Sequence, residues 1–232
     1  MSFRLEAEMK IPVIKWMEEQ NLYVKSEFNT PWGICDLVGV DFNQENVKKR
    51  LDYGQKRSIG SLLKATLLDA IPDSDTEEKK SITRNMLYKL YDDYIGRDKI
   101  DSELNRLVKN RFIENAGKNR FSKLNGWLPV QNRVVAIELK LNRIQEALFQ
   151  AYNHCLFTTE SYVALPEDVA IRVMSGKKAD DFIVWGVGLI SVSKSKCEVL
   201  IEPRLPATNV DKIMQTYIVD NFWTGYLKDN LT

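Results

Sequence analysis

Two apolar runs of this chain are interrupted by charge where a folded core would resist it. In the run 133–142, Glu138 and Lys140 break a β-branched sequence that begins Val134-Val135-Ala136-Ile137. In Ile34-Cys35-Asp36-Leu37-Val38, Asp36 is the lone charge. A charge on a buried strand is costly unless it is paired or binds a metal. Glu138 and Lys140 are two residues apart, so on a strand they share one face. The pair reads either as a salt bridge on the solvated face of an edge strand, or as a carboxylate and an ammonium held side by side at a strand end. Asp36 reads either as a turn-capping carboxylate or as a further carboxylate of the same site. Gln150 lies near the buried face of the next helix, and Glu8 lies on a helix near the N-terminus from which it could point toward the body.

The surrounding pattern supplies the elements that must position these groups. Leu5, Met9, Val13, Trp16 and Met17 recur at helical spacing over 5–19, with Pro12 expected to start or kink that helix. Strands are predicted over 22–28 and 34–40, joined by the Pro31 and Gly33 turn. From about 41 to 125 the texture becomes polar and helical. Helices are predicted over 58–71, over 81–94 with Gly96 ending it, and from 99 or 101 onward. A hairpin over 111–124 turns around Asn115 to Asn119. Strand 133–142 then leads into a helix over 142–158, with Asn142 as its N-cap. A strand over 161–165, a short helix over 168–175, strands over 182–192 and 197–201 and a helix over 210–227 complete an α/β chain.

Composition narrows the classes. Of 232 residues, 44% are apolar and 28% charged, ordinary for a water-exposed globular chain. No run approaches a membrane span, and the N-terminal residues lack the apolar core of a signal peptide. Three scattered cysteines, Cys35, Cys155 and Cys197, lack metal-ligand spacing and fit reduced thiols, so a cytoplasmic location is expected. His154 is the single histidine, which weakens the case for a His-rich metal site or a serine triad and reads as an ordinary, non-catalytic residue. Charge is unevenly placed. Residues 45–127 hold 18 Lys and Arg against 13 Asp and Glu, and the remainder holds 15 against 19. A basic middle in an acidic frame suggests a polyanion-binding module set into a separate body.

In order, the body reads helix, strand, turn, strand with Asp36, insert, strand with Glu138-Leu139-Lys140, helix with Gln150-Ala151-Tyr152, strand. This resembles the PD-(D/E)XK nuclease superfamily, the restriction-endonuclease-like fold, over roughly residues 5–40 and 130–167. The resemblance implies a mixed β-sheet core flanked by helices and a Mg²⁺ (or Mn²⁺) dependent endonuclease. It implies that Asp36, Glu138 and the Leu139 carbonyl hold the metal, with Glu8 as a further ligand from the first helix. Lys140 would orient the attacking water or offset charge on the phosphate, and Gln150 would orient Lys140 or contact the phosphate. Hard oxygen donors suit Mg²⁺, and metal-assisted attack suits phosphodiester hydrolysis. Two departures stand out. Cysteine occupies the position before Asp36, where the family often has proline. Asp36 and Glu138 are also about 100 residues apart, which requires an insert.

That insert resembles a winged helix. The run 101–113 followed by Gly117-Lys118-Asn119-Arg120-Phe121 is similar to a recognition helix running into a wing, with Arg106, Lys109, Lys118 and Arg120 facing outward as DNA contacts. The expected organisation is a discontinuous nuclease-like core, 1–42 and 128–232, with an inserted winged-helix-like domain over 43–127. The alternatives are a catalytically inactive, nuclease-like DNA-binding regulator, or a nuclease acting on RNA. Enzymes of this kind that cut both strands often act as dimers. The last helix, with Phe222, Trp223 and Tyr226, is the candidate interface for a homodimer.

Overall fold

The computed structural model describes residues 3–73, 81–124, 129–158, 160–204, 206 and 210–231. The chain is α/β and divides into two compact units, Met1–Phe42 with Gln131–Gln215, and Asn43–Val130 with Thr216–Thr232. The expected junction at 127/128 lies outside the described residues.

The first unit is built on a six-stranded mixed sheet. Its strands are β1 (Tyr23–Thr30), β2 (Gly33–Phe42), β6 (Gln131–Leu139), β7 (Glu160–Pro166), β8 (Gly188–Val192) and β9 (Cys197–Ile201), and they lie side by side in that order. β1, β2 and β6 are antiparallel, β6, β7 and β8 are parallel, and β9 returns antiparallel. The two parallel steps are crossed by helices, as parallel pairing demands. These are α6 (Ile144–Asn153) between β6 and β7, and α7 (Glu167–Met174) with α8 (Lys178–Trp185) between β7 and β8.

Strand alternation sorts the core into two layers. Leu37, Val135, Ile137, Leu139, Tyr162, Ala164, Ile190 and Val192 pack with Met9, Val13 and Met17 of α1 (Ala7–Glu19). Val163, Leu165 and Leu189 pack with Ala147, Leu148 and Ala151 of α6, Val173 of α7 and Phe182 of α8. Pro12 lies inside α1 rather than at its start.

The second unit contains α2 (Gln44–Asp52), α3 (Leu62–Ala70), β3 (Ile82–Thr83), α4 (Arg84–Ile95), α5 (Arg97–Lys109), β4 (Ile113–Asn115) and β5 (Arg120–Lys123). Its three strands pair in the order β3-β5-β4. Gly96, at φ 82°, ends α4 and opens α5 in one residue. The last helix, α9 (Lys212–Leu231), passes from the first unit into the second at Thr216. Its anchor is a buried ion pair, Asp220 Oδ1 to Arg50 Nη2 at 3.1 Å, with the Gly60 N–H donating to Asp220 Oδ2. The Arg50 guanidinium lies 4.0 Å from the Trp223 ring centroid, and the Trp223 indole N–H donates to the Lys56 carbonyl.

Several expectations change. The last helix groups with the middle of the chain from Thr216 onward, not with the first unit. Phe222, Trp223 and Tyr226 are buried, so they offer no surface for a second copy. Residues 182–185 are helical rather than strand, because Gly186 at φ 68° closes α8 with a left-handed cap. β6 stops at Leu139, and Asn142 does not cap α6, whose cap position is Arg143 without a side-chain bond. The structure adds α2 where the sequence pattern marks no separate helix. Its sequence is polar, and the Asn43 side chain caps it by accepting from the Asn46 N–H.

Gly188 sits opposite Tyr162 in the β7–β8 pair. A Cβ there would come within 2.4 Å of the Tyr162 ring and 3.0 Å of the Ile201 carbonyl, neither of which is a flexible chain end. Gly188→Ala is expected to destabilise the chain by about 2 kcal/mol, read from urea unfolding; an unchanged midpoint would contradict this packing.

Candidate active site

The β2–β6 ladder explains how two carboxylates come together. Its register runs from Phe42 and Gln131 to Leu37 and Ile137 and goes no further. The next residues, Asp36 and Glu138, exchange side-chain bonds instead. The Leu139 N–H donates to Asp36 Oδ2 at 2.8 Å, and the Asp36 N–H donates to the Glu138 carboxyl, which also hydrogen-bonds the Asp36 side chain. On the other side, the β1–β2 register skips the Glu27 and Asp36 position. Glu27 takes φ 51°, an uncommon conformation for a residue with a Cβ, and its carboxylate is held 2.6 Å from Lys10 Nζ. Asp36 is thus released from regular pairing on both edges.

Glu138 is 2% exposed. Burial, and next the neighbouring Asp36 charge, push its carboxyl up to about 8, while the Lys140 ammonium pulls it down. The pair therefore holds a proton at neutral pH. Lys140 follows directly after β6, half-buried, with its backbone N–H on the Ala164 carbonyl. Gln150 lies on α6, which packs across β6 and β7. Its Oε1 is buried without a hydrogen-bond partner, so it accepts no bond from Lys140. Glu8 is exposed and accepts the Arg4 N–H at 2.9 Å. The acidic side chain near α1 that reaches the end of β6 is Glu6, which accepts the Leu141 N–H at 3.4 Å.

Two residues missed in the sequence join the site. The His154 imidazole places Nε2 3.3 Å from Glu138 Oε1 and Nδ1 3.8 Å from Cys35 Sγ. The first contact lacks hydrogen-bond geometry, leaving Glu138 Oε1 buried without a hydrogen-bond partner. Burial pulls His154 down to about 4, so the ring is neutral. Burial, with the Glu138 charge behind it, pushes the Cys35 thiol well above its ordinary range. The order thiol, imidazole, carboxyl is that of a nucleophile relay, but a dry thiol at 0% exposure is not a nucleophile. The sequence signal was slight: Cys35 adjoins Asp36, and His154 lies one helical turn past Gln150.

The donors fit a divalent cation. Two carboxyls held together share a proton, which a cation would replace, and a buried carboxyl oxygen has no hydrogen-bond partner. Asp36, Glu138 and the backbone at Leu139 are hard oxygen donors of the kind Mg²⁺ and Mn²⁺ take.

The expected nucleic-acid contacts lie in the second unit. Arg106, Lys109, Lys118 and Arg120 are all exposed. Two are tethered: Arg106 Nη1 donates to the buried Glu103 at 3.0 Å, and the Arg120 guanidinium donates to Ser81 Oγ at 2.8 Å. Lys118 sits at φ 50° in the turn between β4 and β5.

The shifts at Glu138 and His154 have opposite consequences for stability. Unfolded, Glu138 releases its proton near 4.5, while folded it keeps it to about 8, so in that window rising pH favours unfolding. His154 protonates near 6.5 unfolded but near 4 folded, so in that window falling pH favours unfolding. Above 6.5 only the Glu138 slope remains. In chelator, stability is expected to fall from pH 6.5 to 8 by about 1 kcal/mol per unit, and Glu138→Gln is expected to remove the slope. A flat wild-type profile would refute the buried, protonated carboxyl.

Compared with protein-family models, with curated proteins and with solved structures, the chain matches none.

Proposed function

We propose that this chain is a metal-dependent nuclease of restriction-endonuclease-like architecture that hydrolyses DNA, with a winged-helix-like second unit that binds the duplex. The observation that carries this reading is the Asp36 and Glu138 pair at the end of the β2–β6 ladder, followed at once by Lys140. The order α1, β1, β2, β6, α6, β7, with β6 and β7 parallel, supports it. In the second unit, the order α3, β3, α4, α5, β4, β5 and the pairing β3-β5-β4 support a winged helix with α5 as its recognition helix.

Asp36, Glu138 and the Leu139 carbonyl would hold Mg²⁺ or Mn²⁺. Such an ion supplies a Lewis acid that polarises a phosphate oxygen and acidifies a bound water. The chain's own part is positional and electrostatic. The Leu139 N–H fixes one oxygen of Asp36, and the Asp36 N–H fixes the Glu138 carboxyl. Lys140 Nζ, on a backbone pinned to Ala164, orients the attacking water and offsets charge on the phosphate. The open Oε1 of Gln150 provides an acceptor for Lys140 or for that water. Glu8 Oε2 accepts the Arg4 N–H, while Glu6 is the carboxylate that accepts the Leu141 N–H just past β6.

The full chain with Mg²⁺ is expected to cut duplex DNA, and Asp36→Ala and Lys140→Ala are each expected to slow cutting by about a hundredfold or more. Cleavage that survives both changes, or no Mg²⁺-dependent cleavage by the parent chain, ends the nuclease reading. In the second case, DNA binding without cutting would mark a nuclease-like regulator, and single-stranded DNA and RNA substrates separate the remaining alternatives. Lys109→Ala with Lys118→Ala is expected to weaken duplex binding and to reduce its salt slope by about 1 for each phosphate that the two lysines neutralise. An unchanged slope would remove these residues from the interface.

A further inference from the structure

Glu138 faces two kinds of partner. On one side are the oxygen donors of Asp36. On the other are the sulfur of Cys35 and the imidazole of His154. One ligand atom from each of Cys35, Glu138 and His154 lies within 4.8 Å of the other two. All three residues are buried, and Glu138 Oε1, 3.3 Å from the imidazole, has no hydrogen-bond partner.

We propose that Cys35, Glu138 and His154 form a second cation site, selective for a thiophilic divalent metal such as zinc, which shares Glu138 with Asp36 and so excludes the hard metal. The exclusion rests on the reading of Asp36 and Glu138 as a hard-metal pair; the soft site does not. Thiolate, imidazole and carboxylate are the three donor types zinc takes, with bonds of about 2.0–2.3 Å. Such bonds place tetrahedral ligands about 3.5 Å apart. One ring nitrogen ligates a given ion, so the observed edges are alternatives, 3.8 Å from Cys35 Sγ to His154 Nδ1 or 3.3 Å from His154 Nε2 to Glu138 Oε1. The three ligand atoms, within 4.8 Å of one another, close by about 1 Å or less when the ion binds.

Charge also favours the assignment. A thiolate and a carboxylate balance a divalent ion while neutral imidazole adds nothing, so the filled site has no net charge in dry surroundings. The thiol and carboxyl protons leave to solvent as the metal–sulfur and metal–oxygen bonds form. Mg²⁺ gains nothing from sulfur, so ligand softness sorts the two metals on either side of Glu138.

The test titrates the metal-free full chain with Co²⁺ as a spectroscopic stand-in for zinc. One equivalent is expected to raise a thiolate-to-cobalt charge-transfer band. The band is expected to be absent in Cys35→Ser, present in Cys155→Ser and Cys197→Ser, and to need at least about tenfold more cobalt in His154→Gln. No band in the folded wild-type chain, or a band lost with Cys155 or Cys197 instead, overturns the site. Because core substitutions can unfold a protein, zinc-edge X-ray absorption of the wild-type chain is the second measurement. One sulfur at about 2.3 Å with nitrogen or oxygen at about 2.0 Å is expected, and a shell without sulfur overturns the proposal. Mn²⁺ electron paramagnetic resonance reads the exclusion: zinc is expected to release bound Mn²⁺ from the wild type but not from Cys35→Ser. Simultaneous binding of both metals overturns the sharing of Glu138. A cobalt band in a chain that binds no Mn²⁺ overturns the exclusion and the hard-metal reading, and supports the soft site alone.

Discussion

The interaction on which the placing of the first unit's two strand acids depends is the exchange between Asp36 and Glu138 where the β2–β6 ladder ends. Backbone N–H groups that would otherwise complete the ladder are taken by carboxyl oxygens. Satisfying a buried donor is obligatory, so the exchange holds both side chains in place without a cation. It also sets the half-buried Asp36 against the buried Glu138, and burial together with the neighbouring Asp36 charge keeps Glu138 protonated. The irregular pairing at Glu27 on the opposite edge belongs to the same constraint, because Asp36 leaves the ladder on both sides.

The rest of that unit maintains the dryness. α6 crosses β6 and β7 through Ala147, Leu148 and Ala151, and the Ser161 hydroxyl donates to the Ala151 carbonyl, pinning the end of the helix to β7. The turn after α6 then delivers His154 against Glu138 and Cys35. Thiol, imidazole and carboxyl are all neutral there, which is the form burial favours. Hard donors on one side of Glu138 and softer donors on the other give one carboxylate two classes of neighbour.

In the second unit the buried Asp220 and Arg50 pair has a comparable organising role. Arg50 is enclosed by Asp220 and by the faces of Trp223 and Phe112, so the end of the chain is built into the core of its middle. A buried pair of this kind is costly to break, because the surviving charge would be left without its partner. The α9 aromatics are therefore core, and their apolar character in the sequence reflects that burial.

The sequence by itself determined most of the elements and the two strands that carry the acids. Periodicity located α1, β1, β2, β6, α6 and β7, because amphipathic spacing and β-branched runs are local signals. It singled out Asp36, Glu138 and Lys140, because charge inside an apolar strand is costly unless it has a purpose. Local signals failed at 182–185, where apolar residues read as strand but a left-handed Gly186 closes a helix. They failed again at α2, whose polar sequence is held by the Asn43 cap. Only the tertiary structure decided that Cys35 and His154 meet beside Glu138, that Glu6 rather than Glu8 reaches the end of β6, and that α9 joins the second unit. Each of these depends on an approach between residues more than a hundred positions apart: Cys35 and His154, Glu6 and Leu141, Arg50 and Asp220. No local pattern encodes such approaches, because register and helix placement are settled by packing.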